Sequence, residues 1–256
     1  VSGRRDREAR REDRLQEEQQ AGAAERRQRM VKLASAGAFL ALAVVAVLIV
    51  VSSGNSSGGD SGNIVEAKEV DQLLAGIPQK GMVLGEPSAK VAVLEFGDLQ
   101  CPFCKGYSEE VLPQVIENQV RSGEATLDFR NFTIIGPQSK PAGAAAIAAG
   151  EQGRGWNFVE LFYRNQGSED SGYADDAFLT AIAKAAGVPN ISEWNRARKS
   201  KAAIAQVEAT TAEAQELGFS GTPSFALEGP RAQGVETIAT PESADALESA
   251  IENAGG

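Results

Sequence analysis

The chain has no histidine and only two cysteines, Cys101 and Cys104. Without histidine there is no Ser–His or Cys–His nucleophile pair and no His metal ligand. A disulfide framework for a small secreted domain would need more cysteines, spread along the chain. The two present stand three residues apart, so they carry local chemistry or none. Basic residues are also outnumbered, 25 Lys and Arg against 35 Asp and Glu, for a formal net charge of -10. Such a chain repels phosphate backbones, and nucleic acid is not an expected partner. No Gly-rich phosphate loop sits between a strand and a helix, and no cluster has metal-ligand spacing, so neither a bound cofactor nor a metal is expected.

What is present is unevenly distributed. Residues 1–32 hold ten basic and seven acidic residues, while the remainder holds 15 basic and 28 acidic. The first stretch has good helix formers but no apolar stripe, and reads as a solvated tail. Residues 33–51, LASAGAFLALAVVAVLIVV, carry no charge. At about 1.5 Å per residue they would span roughly 28 Å, close to the hydrocarbon thickness of a bilayer. A single transmembrane helix is expected there, contacting the lipid bilayer. The competing reading is a cleaved signal peptide, whose apolar region should be shorter and end at a small-residue site such as Val51-Ser52-Ser53. Basic residues precede the run and none follows closely. The amino terminus is therefore expected in the cytoplasm, with everything after residue 52 outside. Residues 52–63, SSGNSSGGDSGN, form a Gly/Ser linker with a reach of roughly 20 Å. A bridging segment, Ile64–Lys80, contains a helical fragment at Val65–Ala75. The folded domain is expected from about Gly81 to residue 254.

Within that domain Val91–Phe96 is mostly apolar and β-branched and reads as a buried central strand. After the cysteines, Phe103, Tyr107, Val111, Val115 and Gln119 recur at i+4, which predicts a helix with one buried face. Pro102 suits its first turn, and Pro113 should kink it. Ala125–Phe132 alternates as a second strand, so the three elements make a βαβ unit with parallel strands. Helices are expected from about 140 to 217, at Ala142–Gln152, Trp156–Asn165, Asp175–Ala186 and Ser192–Leu217. A short strand at Phe225–Glu228, a possible hairpin partner at Val235–Ile238 and a final helix at Pro241–Asn253 complete the chain. Phe132, Trp156, Phe158, Phe162, Tyr163 and Trp194 fit a helical core better than a cofactor box.

Cysteines at i and i+3 across a helix start bring their sulfurs within bonding reach. Cys101 stands where free N–H groups and the helix dipole favour a negative charge, so its thiolate is stabilised. A thiolate attacks disulfides, and a second thiol resolves the mixed disulfide. Three blander readings remain. The pair could be half a zinc site completed by a dimer or by carboxylates. It could be two inert core residues, or a structural disulfide closing a loop too short to constrain much.

The segment Leu94-Glu95-Phe96-Gly97-Asp98-Leu99-Gln100-Cys101-Pro102-Phe103-Cys104 resembles the active-site segment of DsbA-like proteins in the thioredoxin fold superfamily. Val83-Leu84-Gly85-Glu86-Pro87-Ser88-Ala89 is similar to the start of that domain. Leu217-Gly218-Phe219-Ser220-Gly221-Thr222-Pro223-Ser224-Phe225 is similar to the family's cis-proline segment. The likeness covers about residues 80–254. It implies an α/β thioredoxin-like fold with an inserted helical subdomain, preceded here by the apolar span. It implies that Cys101 is an exposed nucleophile and Cys104 its buried partner. Pro223 would follow a cis bond from Thr222, whose backbone would face the cysteines and pair with an extended substrate. An ordinary trans turn proline is the alternative. Glu95 matches a position where related proteins often carry a buried acid. Such a carboxyl should hold its proton more tightly than usual and could exchange it with Cys104; otherwise it is a strand-end glutamate turned to water. Phe103 departs from the strongly oxidising relatives, which have His there. It brings no donor to the thiolate, so a couple less oxidising than their roughly -120 mV is expected.

The resemblance implies a thiol–disulfide oxidoreductase outside the cytoplasm that oxidises paired thiols of exported proteins. A quinone-linked membrane partner would restore its disulfide. A reductase or isomerase fed with electrons across the membrane is the rival within the same chemistry. A non-catalytic binding module of the cell envelope is the rival from another class.

Overall fold

The computed structural model describes residues 64–255. The charged tail, the apolar span at 33–51 and the Gly/Ser linker at 52–63 lie outside the described residues. Among those described, no helix is long and apolar enough to cross a membrane.

Six strands form one mixed sheet: β1 (Gln79–Lys80), β2 (Val83–Leu84), β3 (Val91–Gly97), β4 (Ala125–Asn131), β5 (Ser224–Glu228) and β6 (Glu236–Ile238), in the order β1-β2-β4-β3-β5-β6. The run Val91–Phe96 is apolar because β3 is central and covered on both faces. It pairs parallel with β4, as the βαβ reading requires, and antiparallel with β5. The Val235–Ile238 segment supplies β6, antiparallel to β5.

Nine helices surround the sheet among the described residues, counting α-helices and leaving aside one π-helical segment. The first, α1 (Ala67–Leu74), buries Val70 and Leu74. The fold therefore begins upstream of the expected Gly81 boundary. Residues 64–80 are not a bare connector, because Val65 exchanges hydrogen bonds with the Asn165 side chain and β1 pairs with β2.

The helix after the cysteines is broken into α2 (Pro102–Glu110), α3 (Leu112–Val115) and a π-helical turn at Ile116–Val120. Pro113 has no N–H to give to the preceding turn, so the ladder breaks at Val111. The break lets Leu112, Val115 and Ile116 stay buried while the axis changes.

The insertion runs through α4 (Ser139–Gly150), α5 (Gly155–Arg164), α6 (Asp176–Ala185), α7 (Ile191–Ala197) and α8 (Lys201–Glu216). The expected single helix at Ser192–Leu217 is two helices. Ser200 adopts an extended backbone and caps α8 by accepting from the Ala203 N–H at 3.1 Å. The six large aromatics are buried core: Trp156 donates to the Met82 carbonyl at 2.7 Å and Trp194 to the Ala145 carbonyl at 2.9 Å. The last helix is α9 (Ala244–Gly255).

Candidate active site

The cysteine pair sits where β3 hands over to α2. Cys101 is the N-cap residue, with φ -76° and ψ 121°, and Pro102 occupies the first turn. Both thiols are unbonded in this structure. Gly97, at the end of β3, is required by packing. A Cβ there would stand 2.7 Å from the Phe129 ring and 3.1 Å from the Tyr163 hydroxyl.

Four groups that the sequence did not single out fix this corner. Asp98 is fully buried. Its carboxylate accepts the N–H of Gln100 at 2.9 Å, of Ile134 at 2.8 Å and of Ile135 at 3.0 Å. Its carbonyl accepts the Cys101 N–H at 2.9 Å and the Tyr163 hydroxyl at 3.3 Å. The Gln166 side-chain amide donates to the Leu99 carbonyl at 2.7 Å and the Cys101 carbonyl at 3.1 Å. Gln100 donates to the Ser139 hydroxyl at 2.9 Å. An Asp at a strand-to-helix corner is a local signal that could have been read. Gln166 and Ser139 lie in the insertion and carry no such signal.

Cys104 is fully buried. Cys101 is only 3% exposed, contrary to the exposed nucleophile that the resemblance implies. The reason is the Thr222–Pro223 loop, which closes on the sulfur: Cys101 Sγ donates to the Thr222 carbonyl at 3.4 Å. The Thr222–Pro223 peptide is cis. The apolar side chain that is exposed at this corner is Phe103, at 78%. Ile134, whose N–H is held by Asp98, is also exposed.

The two thiols are driven apart. The Cys101 thiol is lowered to about 6, first by the hydrogen bond from the Cys104 thiol. Burial opposes this, and Thr222 and the N–H groups of Cys104 and Phe103 add to it. The Thr222 hydroxyl, buried and without a partner in the thiol form, is the group that can turn to the thiolate. Burial pushes Cys104 well above the usual thiol range, and the neighbouring Cys101 sulfur adds to that. One sulfur is therefore ready to attack or leave as a thiolate at neutral pH, and the other holds its proton. Lys105 contributes to an ion pair with Glu109 at 3.7 Å and not to the sulfur.

Glu95 is 1% exposed, and neither of its carboxyl oxygens has a hydrogen-bond partner among the described residues. Burial, with a smaller contribution from Glu160, raises it to about 8. It lies close enough to Cys104 to raise that thiol further. The structure thus brings Cys101, Pro102, Phe103, Cys104, Thr222, Pro223 and Glu95 into one neighbourhood. Among the described residues, no group of three or more Cys, Asp or Glu side chains could hold a metal ion.

The family described as Thioredoxin matches residues 78–253. A probable disulfide bond formation protein D of Bacillus cereus is 30% identical over 149 residues, which are 57% of this chain and 69% of the relative. The oxidised form of BdbD from Bacillus subtilis superposes with a TM-score of 0.60 at 21% identity, covering 69% of this chain and 96% of that one. A thioredoxin-like oxidoreductase from Silicibacter pomeroyi DSS-3 superposes with a TM-score of 0.54 at 28% identity, covering 72% of this chain and 96% of that one.

Proposed function

We propose that this chain, which belongs to the thioredoxin family and is a thiol–disulfide oxidoreductase, oxidises paired thiols of exported proteins from the outer side of a membrane. The observation that carries the proposed direction is the asymmetry of the pair, a stabilised Cys101 thiolate beside a Cys104 held as a thiol. A stabilised thiolate favours the reduced enzyme, so the disulfide form is a willing electron acceptor.

In the reaction a substrate thiolate attacks the Cys101–Cys104 disulfide at Cys101 Sγ. The S–S bond breaks, and Cys104 leaves with the electron pair. Glu95, protonated at neutral pH, gives its proton to Cys104. The substrate's second thiolate attacks its own half of the mixed disulfide and releases Cys101 as the thiolate. The product leaves oxidised by two electrons and the enzyme stays reduced, to be reoxidised by a quinone-linked membrane partner. Thr222, beside the Cys101 sulfur, offers its backbone to an extended substrate segment. Exposed Phe103 and Ile134 give that segment an apolar landing, which suits unfolded polypeptide.

The outward location rests on the uncharged run at 33–51, which anchors the chain in the bilayer with residues 1–32 on the cytoplasmic side. Outside the cytoplasm disulfides form and persist. Expression of the full chain with Cys104→Ser tests the assignment, because the resolving thiol is gone and mixed disulfides at Cys101 accumulate. The trapped proteins are expected to be exported ones. A set made only of cytoplasmic proteins would contradict the outward placement.

A further inference from the structure

The loop that closes on Cys101 has little of its own to hold it. Ser220 and Gly221 are exposed, and Thr222 and Pro223 are half-buried. Its entry is pinned by Phe219, whose ring packs on Phe96 of β3 with centroids 5.2 Å apart. Its exit is pinned by Ser224, which opens β5 opposite Phe96 and whose hydroxyl donates to the Gly221 carbonyl at 2.7 Å. Between these anchors Pro223 has no N–H to give to a neighbouring strand. Its carbonyl is met from outside the loop, by the Thr240 hydroxyl at 3.0 Å.

Thr240 owes that place to the β5–β6 hairpin. Phe225 stands opposite Ile238, and the same register carried two residues further sets Pro223 opposite Thr240. Pro241 follows, is buried, and biases Thr240 to an extended backbone. Soon after it α9 begins, with Leu247 and Ile251 buried in the core. Packed elements on either side thus carry one exposed hydroxyl to the residue next to Thr222. The Thr222 carbonyl itself faces Cys101 Sγ at 3.4 Å. In the disulfide form Cys101 has no proton to give, so that carbonyl can take an N–H from an incoming chain.

We propose that Thr240 is a positioning residue that makes this site selective for extended peptide thiols: by holding the Pro223 carbonyl, its hydroxyl fixes the Thr222 carbonyl where a substrate backbone N–H meets it while the substrate sulfur lies at Cys101. Small dithiols without a peptide backbone gain nothing from that alignment. Thr240 takes no part in the exchange of sulfurs, and its hydroxyl is spent on the Pro223 carbonyl. The inference rests on the reading of the Thr222 backbone as the substrate's partner.

The test is single-turnover oxidation, by the disulfide form of the full chain, of a reduced two-cysteine peptide and of dithiothreitol. Thr240 is exposed, so Thr240→Val keeps the fold and removes the hydroxyl alone. In that variant the half-saturating peptide concentration is expected to rise about fivefold, the scale of one neutral hydrogen bond, with the limiting rate unchanged. The rate with dithiothreitol stays as it was. Thr240→Ser, which keeps the hydroxyl, returns the peptide value. A half-saturating concentration unmoved in Thr240→Val overturns the proposal. So does an equal slowing with both substrates, which would make Thr240 a general support of Cys101. A peptide carrying N-methyl groups on the residues flanking its attacking cysteine separates the two readings. If the unsubstituted chain takes it as readily as the parent peptide, the reading of Thr222 fails and this proposal with it. If N-methylation weakens the peptide and Thr240→Val does not, Thr222 keeps its role and Thr240 loses the one proposed.

Discussion

Replacing Cys101 with serine is expected to reduce thiol oxidation to the uncatalysed background while the fold survives. A hydroxyl cannot form the mixed disulfide, so no other part of the site can compensate. The remaining thiol, Cys104, does not substitute, because it is fully buried and held in its protonated form. The fold should tolerate the change because the corner is held mainly by Asp98, Gln100 and Gln166, whose bonds go to backbone groups and to Ser139 and not to the Cys101 sulfur. The check is the rate at which a reduced, unfolded substrate gains disulfides, with circular dichroism confirming structure. A Cys101→Ser chain that still performs the task would instead favour a binding module of the cell envelope.

Changing Glu95 to glutamine is expected to stabilise the folded protein at neutral pH and to slow its chemistry. The stability effect follows from linkage. The carboxyl is raised from an ordinary 4.5 to about 8 in the folded state. The folded form therefore binds the proton more tightly than the unfolded form does. Below about 4.5 both states are protonated and Glu95 costs nothing through ionisation. As pH rises through the window from about 4.5 to about 8 the unfolded state ionises first, and stability is lost. At pH 7 the cost is about 3 kcal/mol, with about 1.4 kcal/mol for each unit of difference. Glutamine is neutral and of similar shape, so it removes that cost while leaving polar burial much as it was. The variant should melt roughly 6–12 °C higher at pH 7 and show little advantage at pH 4. Departure of Cys104 when a thiolate attacks the disulfide at Cys101 should be slower by roughly 10²-fold, the contribution typical of a lost general acid. Thermal melts across the pH range check the first part, and stopped-flow mixed-disulfide formation checks the second. A variant no more stable than the original at pH 7 would mean that Glu95 is ionised and satisfied in the folded state.

The parts of this site that were legible in the sequence are those written in local pattern. An uninterrupted apolar strand, a cysteine pair at helix spacing and Pro102 in the first turn lie within fourteen residues of one another, and they place Cys101 at a helix cap. Thr222 and Pro223 are 121 residues or more from Cys101, and only their likeness to a known segment linked them to it. The insertion's role was not legible. Gln166, Ser139 and Tyr163 reach the corner by long-range contacts that no periodicity encodes. The break at Ser200 was missed because the helical composition runs straight through it, and a single capping hydroxyl decides the outcome. The helix at Ala67–Leu74 is legible as a fragment, but its attachment to the domain is not, because it and the two-residue strand at Gln79–Lys80 are held through tertiary packing and pairing. The burial of Cys101 was likewise invisible, since the covering loop is far away in sequence.

In the proposed reaction Cys101 and Cys104 cycle as an oxidising couple. Its most direct test is the midpoint potential of the pair in the full chain, equilibrated with glutathione buffers and read by the mass shift on alkylation. The depressed Cys101 thiol predicts a potential more positive than thioredoxin's roughly -270 mV, and Phe103 in place of a cationic neighbour keeps it below about -120 mV. A midpoint at or below about -270 mV would contradict the account and make the protein a reductant.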